Sequence, residues 1–306
     1  MTKIFIDGSA GTTGLRIRER LEGRPGLDIL TLPDQLRKDT EARRVALNSA
    51  DIAFLCLPDA AAREAVTLVD NPNTVIIDTS TAHRTADGWT YGFPELVGDD
   101  TIKASKRIAN PGCHASGFVA LVAPLVRAGL IDKRLKLTCF SLTGYSGGGK
   151  PMIADYQSEE RDPMLGAPRQ YGLAQTHKHL PEMAKVCGLE NAPIFCPIVG
   201  DFYSGMEVTV PLFGSDLNGT IEDVKNAYRA TYTGKLVTFC DDVSEGGFLS
   251  AAALSGKDAM QVTVTGNEDR ILLTARFDNL GKGASGAAIQ NMNILLGCDE
   301  TAGLEI

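Results

Sequence analysis

The residues of this 306-residue chain best suited to do chemistry are one cysteine and two histidines. Cys113 stands in Asn110-Pro111-Gly112-Cys113-His114-Ala115-Ser116-Gly117, where a Pro-Gly turn runs into an apolar stretch of helical character. A sulfur at the first turn of such a helix meets unpaired backbone N–H groups and the positive end of the helix dipole, which favour thiolate, the form that attacks carbonyls. The same N–H groups can take up negative charge developing on the attacked carbonyl oxygen. The other six cysteines (Cys56, Cys139, Cys187, Cys196, Cys240 and Cys298) are scattered, with no CxxC pair. They read as reduced structural thiols of a cytoplasmic protein rather than as a disulfide framework.

A nucleophilic thiol needs a base, and the chain has only four histidines. Two of them form His177-Lys178-His179, followed by Leu180-Pro181-Glu182, where Pro181 suits the first turn of a helix. In an extended segment His177 and His179 would point to one side, and either could serve Cys113 as acid–base partner. Two histidines so placed could also ligate zinc, but no third ligand is evident nearby, and no metal is expected. His114 follows the cysteine on the same helix, is rotated away from it, and makes a poor base. His83, just after Ser80-Thr81-Ala82, is placed to line the same cleft.

The elements that must carry these groups fall into two stretches. Residues 1–110 alternate strand-like runs (3–7, 27–32, 52–57, 74–78, 107–110) with helical ones (12–21, 39–48, and from a cap at Asp59 to 69). Arg43 and Arg44 fall on the polar side of the second helix. Strands and helices joined so closely imply a doubly wound parallel sheet with helices on both faces. Between the first strand and helix lies Gly8-Ser9-Ala10-Gly11-Thr12-Thr13-Gly14, a turn that lets backbone N–H groups approach a pyrophosphate at the helix N-terminus. After the second strand, Asp34 could hold ribose hydroxyls, whereas Arg37 and Lys38 offer cations for a 2′-phosphate, so the reading leans to NADP.

Beyond Gly112 the rhythm changes. A helix starts near Cys113 and should kink or end at Pro124. Strand-like runs follow at 135–142, 194–199, 206–213, 236–239, 260–265 and 271–277, several alternating apolar with polar residues as in an antiparallel sheet with one face on a core. Helices are expected at 221–232 and 284–296. Gly144-Tyr145-Ser146-Gly147-Gly148-Gly149-Lys150 lacks the ending of an ATP-binding loop, since Pro151 follows, and reads as a mobile loop over a site or between subunits. Gly281-Lys282-Gly283-Ala284-Ser285-Gly286 opens the last helix with small residues suited to close packing.

Composition limits the partners. A net charge of −8 argues against nucleic acid, and a hydrophobic fraction of 43% with 22% charged residues is that of an ordinary globular protein. The longest apolar stretch, 117–126, stops at Arg127 and contains Pro124, so no membrane span is expected. The opening residues reach Asp7 after three apolar positions, too few for a signal peptide.

Taken together, Gly8 to Gly14, Asp78-Thr79-Ser80 through Arg84, Asn110 to Gly117, His177 to Glu182, and Asp278-Asn279 through Asn293 resemble one family, the N-acetyl-γ-glutamyl-phosphate reductases of the aspartate-semialdehyde dehydrogenase-like group. The resemblance implies a Rossmann-type NADP-binding domain (1–112, with a C-terminal helix, 282–306, returning to it) and a second α/β domain with a mixed, largely antiparallel sheet for catalysis and oligomerisation (113–281). It implies Cys113 as nucleophile, His177 as the acid–base residue with His179 close by, and Arg84 and Glu182 at the substrate. Gly8, Gly11, Thr12, Thr13 and Gly14 would contact the dinucleotide, with Asn291 near the nicotinamide. The expected substrate is a small acyl phosphate, reduced to a semialdehyde in arginine biosynthesis by a homodimer or homotetramer. One departure is His114, where members commonly carry Tyr. The alternatives are aspartate-semialdehyde dehydrogenase, a cysteine hydrolase or acyltransferase working without dinucleotide, and an NADP-binding redox regulator, for which the basic DNA-reading segment is missing.

Overall fold

In the computed structural model, which describes residues 1–306, short apolar strands alternate with helices from the first residues onward. The order is β1 (Thr2–Asp7), α1 (Thr12–Leu21), β2 (Leu27–Leu30), α2 (Thr40–Ser49), β3 (Ile52–Leu55), α3 (Asp59–Thr67), β4 (Val75–Asp78), β5 (Thr90–Tyr91), α4 (Pro94–Val97), α5 (Asp99–Ala104) and β6 (Arg107–Ala109). The six strands form one parallel sheet in the order β2-β1-β3-β4-β6-β5. Side chains leave each strand alternately to two cores: Ile4, Ile6, Phe54, Ile77 and Ile108 on one face, Phe5, Ala53, Leu55 and Ile76 on the other. β1 has β2 on one side and β3 on the other, so the crevice where a doubly wound sheet takes its ligand lies at the end of β1.

The chain then forms α6 (Cys113–Arg127), β7 (Thr138–Gly144), α7 (Gly149–Gln157), β8 (Arg169–Gln170), α8 (Leu180–Cys187), β9 (Ile194–Gly200), β10 (Met206–Phe213), α9 (Ile221–Thr231), β11 (Val237–Phe239), β12 (Met260–Gly266) and β13 (Arg270–Phe277). Their seven strands pair as β11-β12-β13-β10-β7-β9-β8. The pairings β11–β12 and β7–β9 are parallel and the rest antiparallel, a mixed sheet. α6 lies on this sheet against β10 and β13 and is flanked by α8 and α9. The last helix, α10 (Gly286–Leu295), is entered through a π-helical turn, Gly281–Ser285. Two units result: Met1–Gly112 with Ala284–Leu304, and Cys113–Gly283 with Glu305–Ile306. In the first, Ala288, Ile289 and Met292 of α10 join Ile17 and Leu21 of α1 in the core. No helix is long and apolar enough to cross a membrane.

Several local expectations fail, each for a tertiary reason. α6 does not end at Pro124 but continues to Arg127. Pro124 has no N–H for the carbonyl of Ala120, and the buried Tyr232 hydroxyl donates to that carbonyl instead, while Tyr228 donates to Leu121 at 2.6 Å. Arg43 is not on a solvated face: it is 6% exposed and held by Asp7 and by Glu64. Pro58, not Asp59, occupies the N-cap of α3, because the Asp59 carboxylate is taken by the N–H and hydroxyl of Thr81. The stretch expected to be a loose loop at 144–150 is a 3₁₀ turn leading into α7, tied down by Tyr145 and Ser146 N–H groups on the carbonyls of Phe202 and Tyr203.

Candidate active site

In the first unit, the glycine turn at the end of β1 is built for close backbone approach. Gly8 has φ +88°, and a Cβ there would lie 2.2 Å from the carbonyl oxygen of Cys56, just after β3. A Cβ on Gly14 would lie 2.5 Å from the Gly8 carbonyl oxygen. Neither position admits a side chain without moving backbone. Gly11 caps α1 with no side-chain acceptor, which leaves the first-turn N–H groups at Thr12 and Thr13 directed out of the helix. Beside the turn lies a cavity of 370 Å³, lined among others by Gly8, Ser9, Arg18, Thr31, Arg37 and Lys38. Asp34 is exposed and ion-paired to Arg37 at 2.7 Å. Arg43 also lines the cavity, its charge already met by Asp7 and Glu64, and burial lifts the Asp7 carboxyl above its ordinary value despite Arg43.

Asn291 on α10 is fully buried, and its amide N–H₂ donates to the carbonyls of Gly92 and Ala287, each at 2.9 Å. Its side-chain oxygen has no hydrogen-bond partner, and neither does that of Asn110, whose amide donates to Ala284. Buried carbonyl oxygens left this way suit an amide-bearing ligand. The glycine cradle, the cationic cavity and these two acceptors fit a dinucleotide phosphorylated on its ribose. Arg84, expected at the substrate, donates to the carbonyls of Asn110 and Thr79 at 2.9 Å each and so braces the ends of β6 and β4. His83 is buried, bonded to Asp78 at 2.6 Å and stacked on Trp89, which is a structural placement.

The second unit opens with Cys113, the first residue of α6 and only partly buried. A Cβ on Gly283 would sit 3.1 Å from that of Cys113, so the small residues before α10 make room for this cysteine. Burial pushes the thiols of Cys56, Cys139 and Cys187 up, that of Cys56 to about 12, the behaviour of inert structural cysteines.

The HxH pair closes up around His114. His177 and His179 lie with ring centroids 4.9 Å apart, and the His114 ring is 5.9 Å from the first and 5.5 Å from the second. They converge through a turn rather than an extended segment: His179 is helical at the N-cap of α8, and its N–H points to Nδ1 of His177 at 3.3 Å. Phe195 packs edge-on against His114 and His177. Burial, and then the nearby Lys178, depress the His177 pKa. Burial depresses His114 further, to about 3, so it stays neutral at any working pH. Glu182 sits in the first turn of α8, three residues after His179, and is 1% exposed.

Sequence reasoning missed two members of this cluster. Ser141 on β7 and Tyr171 after β8 bond the two ring nitrogens of His114, each at 2.6 Å. The only signal was His114 itself, an ionisable residue at the start of a largely apolar helix. Burial, and then the charge of Cys113, push the Tyr171 phenol up.

A dinucleotide-type parallel sheet followed by a sheet-and-helix unit that begins with a part-exposed cysteine and gathers three imidazoles defines the class of the two-domain semialdehyde dehydrogenases. Residues 3–104 match the semialdehyde dehydrogenase NAD binding domain, and residues 113–279 match the semialdehyde dehydrogenase dimerisation domain. An aspartate semialdehyde dehydrogenase II from Vibrio cholerae superposes with a TM-score of 0.73 over 97% of this chain and 98% of its own, at 16% identity. A probable aspartate-semialdehyde dehydrogenase from Pseudomonas aeruginosa gives 0.72 over 96% and 98%, at 15% identity. These two share the fold.

Sequence relatives narrow the family. N-acetyl-gamma-glutamyl-phosphate reductase of Rhizobium meliloti (strain 1021) is 46% identical over 305 residues, covering 96% of this chain and 98% of the relative. N-acetyl-gamma-glutamyl-phosphate reductase 2 of Nostoc sp. is 44% identical over 319 residues, 99% of each. The chain belongs to the N-acetyl-gamma-glutamyl-phosphate reductases of the semialdehyde dehydrogenase family.

Proposed function

We propose that this chain reduces N-acetyl-L-glutamyl 5-phosphate to N-acetyl-L-glutamate 5-semialdehyde and phosphate, a step of arginine biosynthesis, through a thioester on Cys113. The observation that carries this reading is a part-exposed sulfur at the N-terminus of a buried helix, in one unit with imidazoles kept neutral by burial. His177 takes the thiol proton, and the Cys113 sulfur attacks the acyl carbon. A C–S bond forms, the C–O bond to phosphate breaks, and phosphate leaves with the electron pair. NADPH, held in the first unit, would supply the hydride that reduces the thioester carbon. His177 then carries the proton as the carbonyl re-forms, the C–S bond breaks and sulfur departs as thiolate. His179 and Glu182 keep His177 oriented, and Glu182 and Arg84 settle the substrate. Residues 1–112 with 282–306 serve as the NADP domain, where Gly8, Gly11, Thr12, Thr13 and Gly14 hold the pyrophosphate, Arg37 and Lys38 the 2′-phosphate, and Asn291 the nicotinamide amide; residues 113–281 serve catalysis and assembly.

The chain works as a cytoplasmic homodimer. One face of the second sheet leaves Phe140, Ile194, Phe213 and Leu272 exposed, an apolar surface for a second copy. The test of the activity is phosphate-dependent oxidation of N-acetylglutamate semialdehyde with NADP, with NAD and aspartate semialdehyde as controls. Equal rates with the aspartyl compound, or no dependence on phosphate, would overturn it.

A further inference from the structure

The hydrogen-bond accounting around His114 points to a further catalytic group. His114 is neutral, so one ring nitrogen carries a proton and the other a lone pair. Ser141 is fully buried in the middle of β7, and its hydroxyl has a single side-chain partner, Nδ1 of His114. If Nδ1 carried the ring proton, the Ser141 O–H would be a buried donor with nothing to donate to, which is the costly arrangement. The Ser141 hydroxyl therefore donates to Nδ1, and the ring proton lies on Nε2. Nε2–H then donates to the phenolic oxygen of Tyr171, 2.6 Å away. With its oxygen already serving as acceptor, Tyr171 keeps its own O–H for another group; its hydroxyl is held by the residue that directly follows Cys113, and its ring packs edge-on against His177.

We propose that Tyr171 is the side-chain donor to the carbonyl oxygen of an acyl group carried on Cys113, with Ser141 and His114 as positioning residues that set the direction of its O–H. The inference rests on the thioester reading above. Tyr171 makes no proton transfer in this role. It stays protonated and donates to the oxygen as negative charge grows on it, alongside the N–H groups of the first turn of α6. Burial suits this task, because a phenol far from ionisation remains a donor throughout the reaction. His114 suits it too, since an imidazole that does not protonate holds one tautomer across the working pH range.

The experiment compares two reactions of the same sulfur in the full-length protein. Reduction of the acyl phosphate develops an oxyanion, whereas alkylation by iodoacetamide displaces iodide and develops none. Tyr171→Phe is expected to lower kcat by about 10²-fold, the usual effect of removing one oxyanion donor, with KM little changed and the alkylation rate of Cys113 within about twofold of the parent. Ser141→Ala removes the donor that fixes the tautomer, and is expected to lower kcat by a smaller factor, again with alkylation unchanged. A Tyr171→Phe protein with parental kcat overturns the proposal, and so does a parallel fall in alkylation, which would mark Tyr171 as structural support for Cys113. If Tyr171→Phe does not fold, Ser141→Ala decides the matter alone, since parental kcat in that variant overturns the relay. A parent with no reductase activity, or a Cys113→Ser variant that retains it, removes the thioester reading and this inference with it.

Discussion

Tyr232→Phe isolates the interaction that lets α6 carry Cys113 on a helix with a proline inside. The ring stays, so no cavity is made and packing is kept; only the hydroxyl that donates to the Ala120 carbonyl is lost. That carbonyl belongs to a residue with no exposed surface, in a helix whose residues 114–125 are all buried, so no water replaces the phenol. Leaving a buried acceptor without a partner costs about 1–3 kcal/mol, and that is the expected loss in equilibrium urea unfolding followed by circular dichroism at fixed protein concentration. Pro124→Ala restores an N–H aimed at the same carbonyl. The double variant is therefore expected to be more stable than the sum of the two single effects by about 1 kcal/mol. A Tyr232→Phe protein within about 0.5 kcal/mol of the parent, or strict additivity in the double variant, would show that the proline is accommodated some other way.

Lys38→Ala is expected to lower kcat/KM for NADPH about tenfold while leaving NADH unchanged, and Asp34→Asn, by releasing Arg37, to move the preference further toward NADPH; steady-state kinetics with both cofactors checks the pair. Gly283→Ala places a Cβ 3.1 Å from both Cys113 Cβ and the Asp278 carbonyl oxygen, so the cysteine must shift; kcat and the iodoacetamide rate are both expected to fall at least about tenfold. Because burial lowers the His177 pKa from 6.5, its neutral form persists below that value, and the acid limb of kcat/KM is expected below pH 6.5. Phe195→Ala, which opens the ring to water, is expected to move that limb upward, as a pH–rate profile would record.

Where local chemistry decides, the sequence was sufficient. The period of residues 12–21 gave α1 with its observed ends, and the alternation in 206–213 gave β10 likewise. Cys113 at the head of α6 followed from the Pro-Gly turn, whereas His177 and His179 come together through a turn and not through the extended segment their spacing suggested. What was not legible depends on distant partners. Pro124 breaks an isolated helix, but Tyr232, more than a hundred residues away, supplies the missing donor to the Ala120 carbonyl. Arg43 reads as a surface cation until β1 brings Asp7 beneath it. β5, α4 and α5 are too short to show a period. Ser141 on β7 and Tyr171 just after β8 meet α6 only in the folded chain, and nothing in their own surroundings marks them.

The central claim is covalent capture, and it is tested most directly without any reductant. The protein is mixed with N-acetylglutamyl phosphate in the absence of NADPH, quenched in acid, digested and weighed. The peptide containing Cys113 should gain the mass of the acyl group without its phosphate, hydroxylamine should remove it, and Cys113→Ser should gain no such thioester. An unmodified Cys113 peptide in a preparation that turns over once NADPH is added would contradict the account.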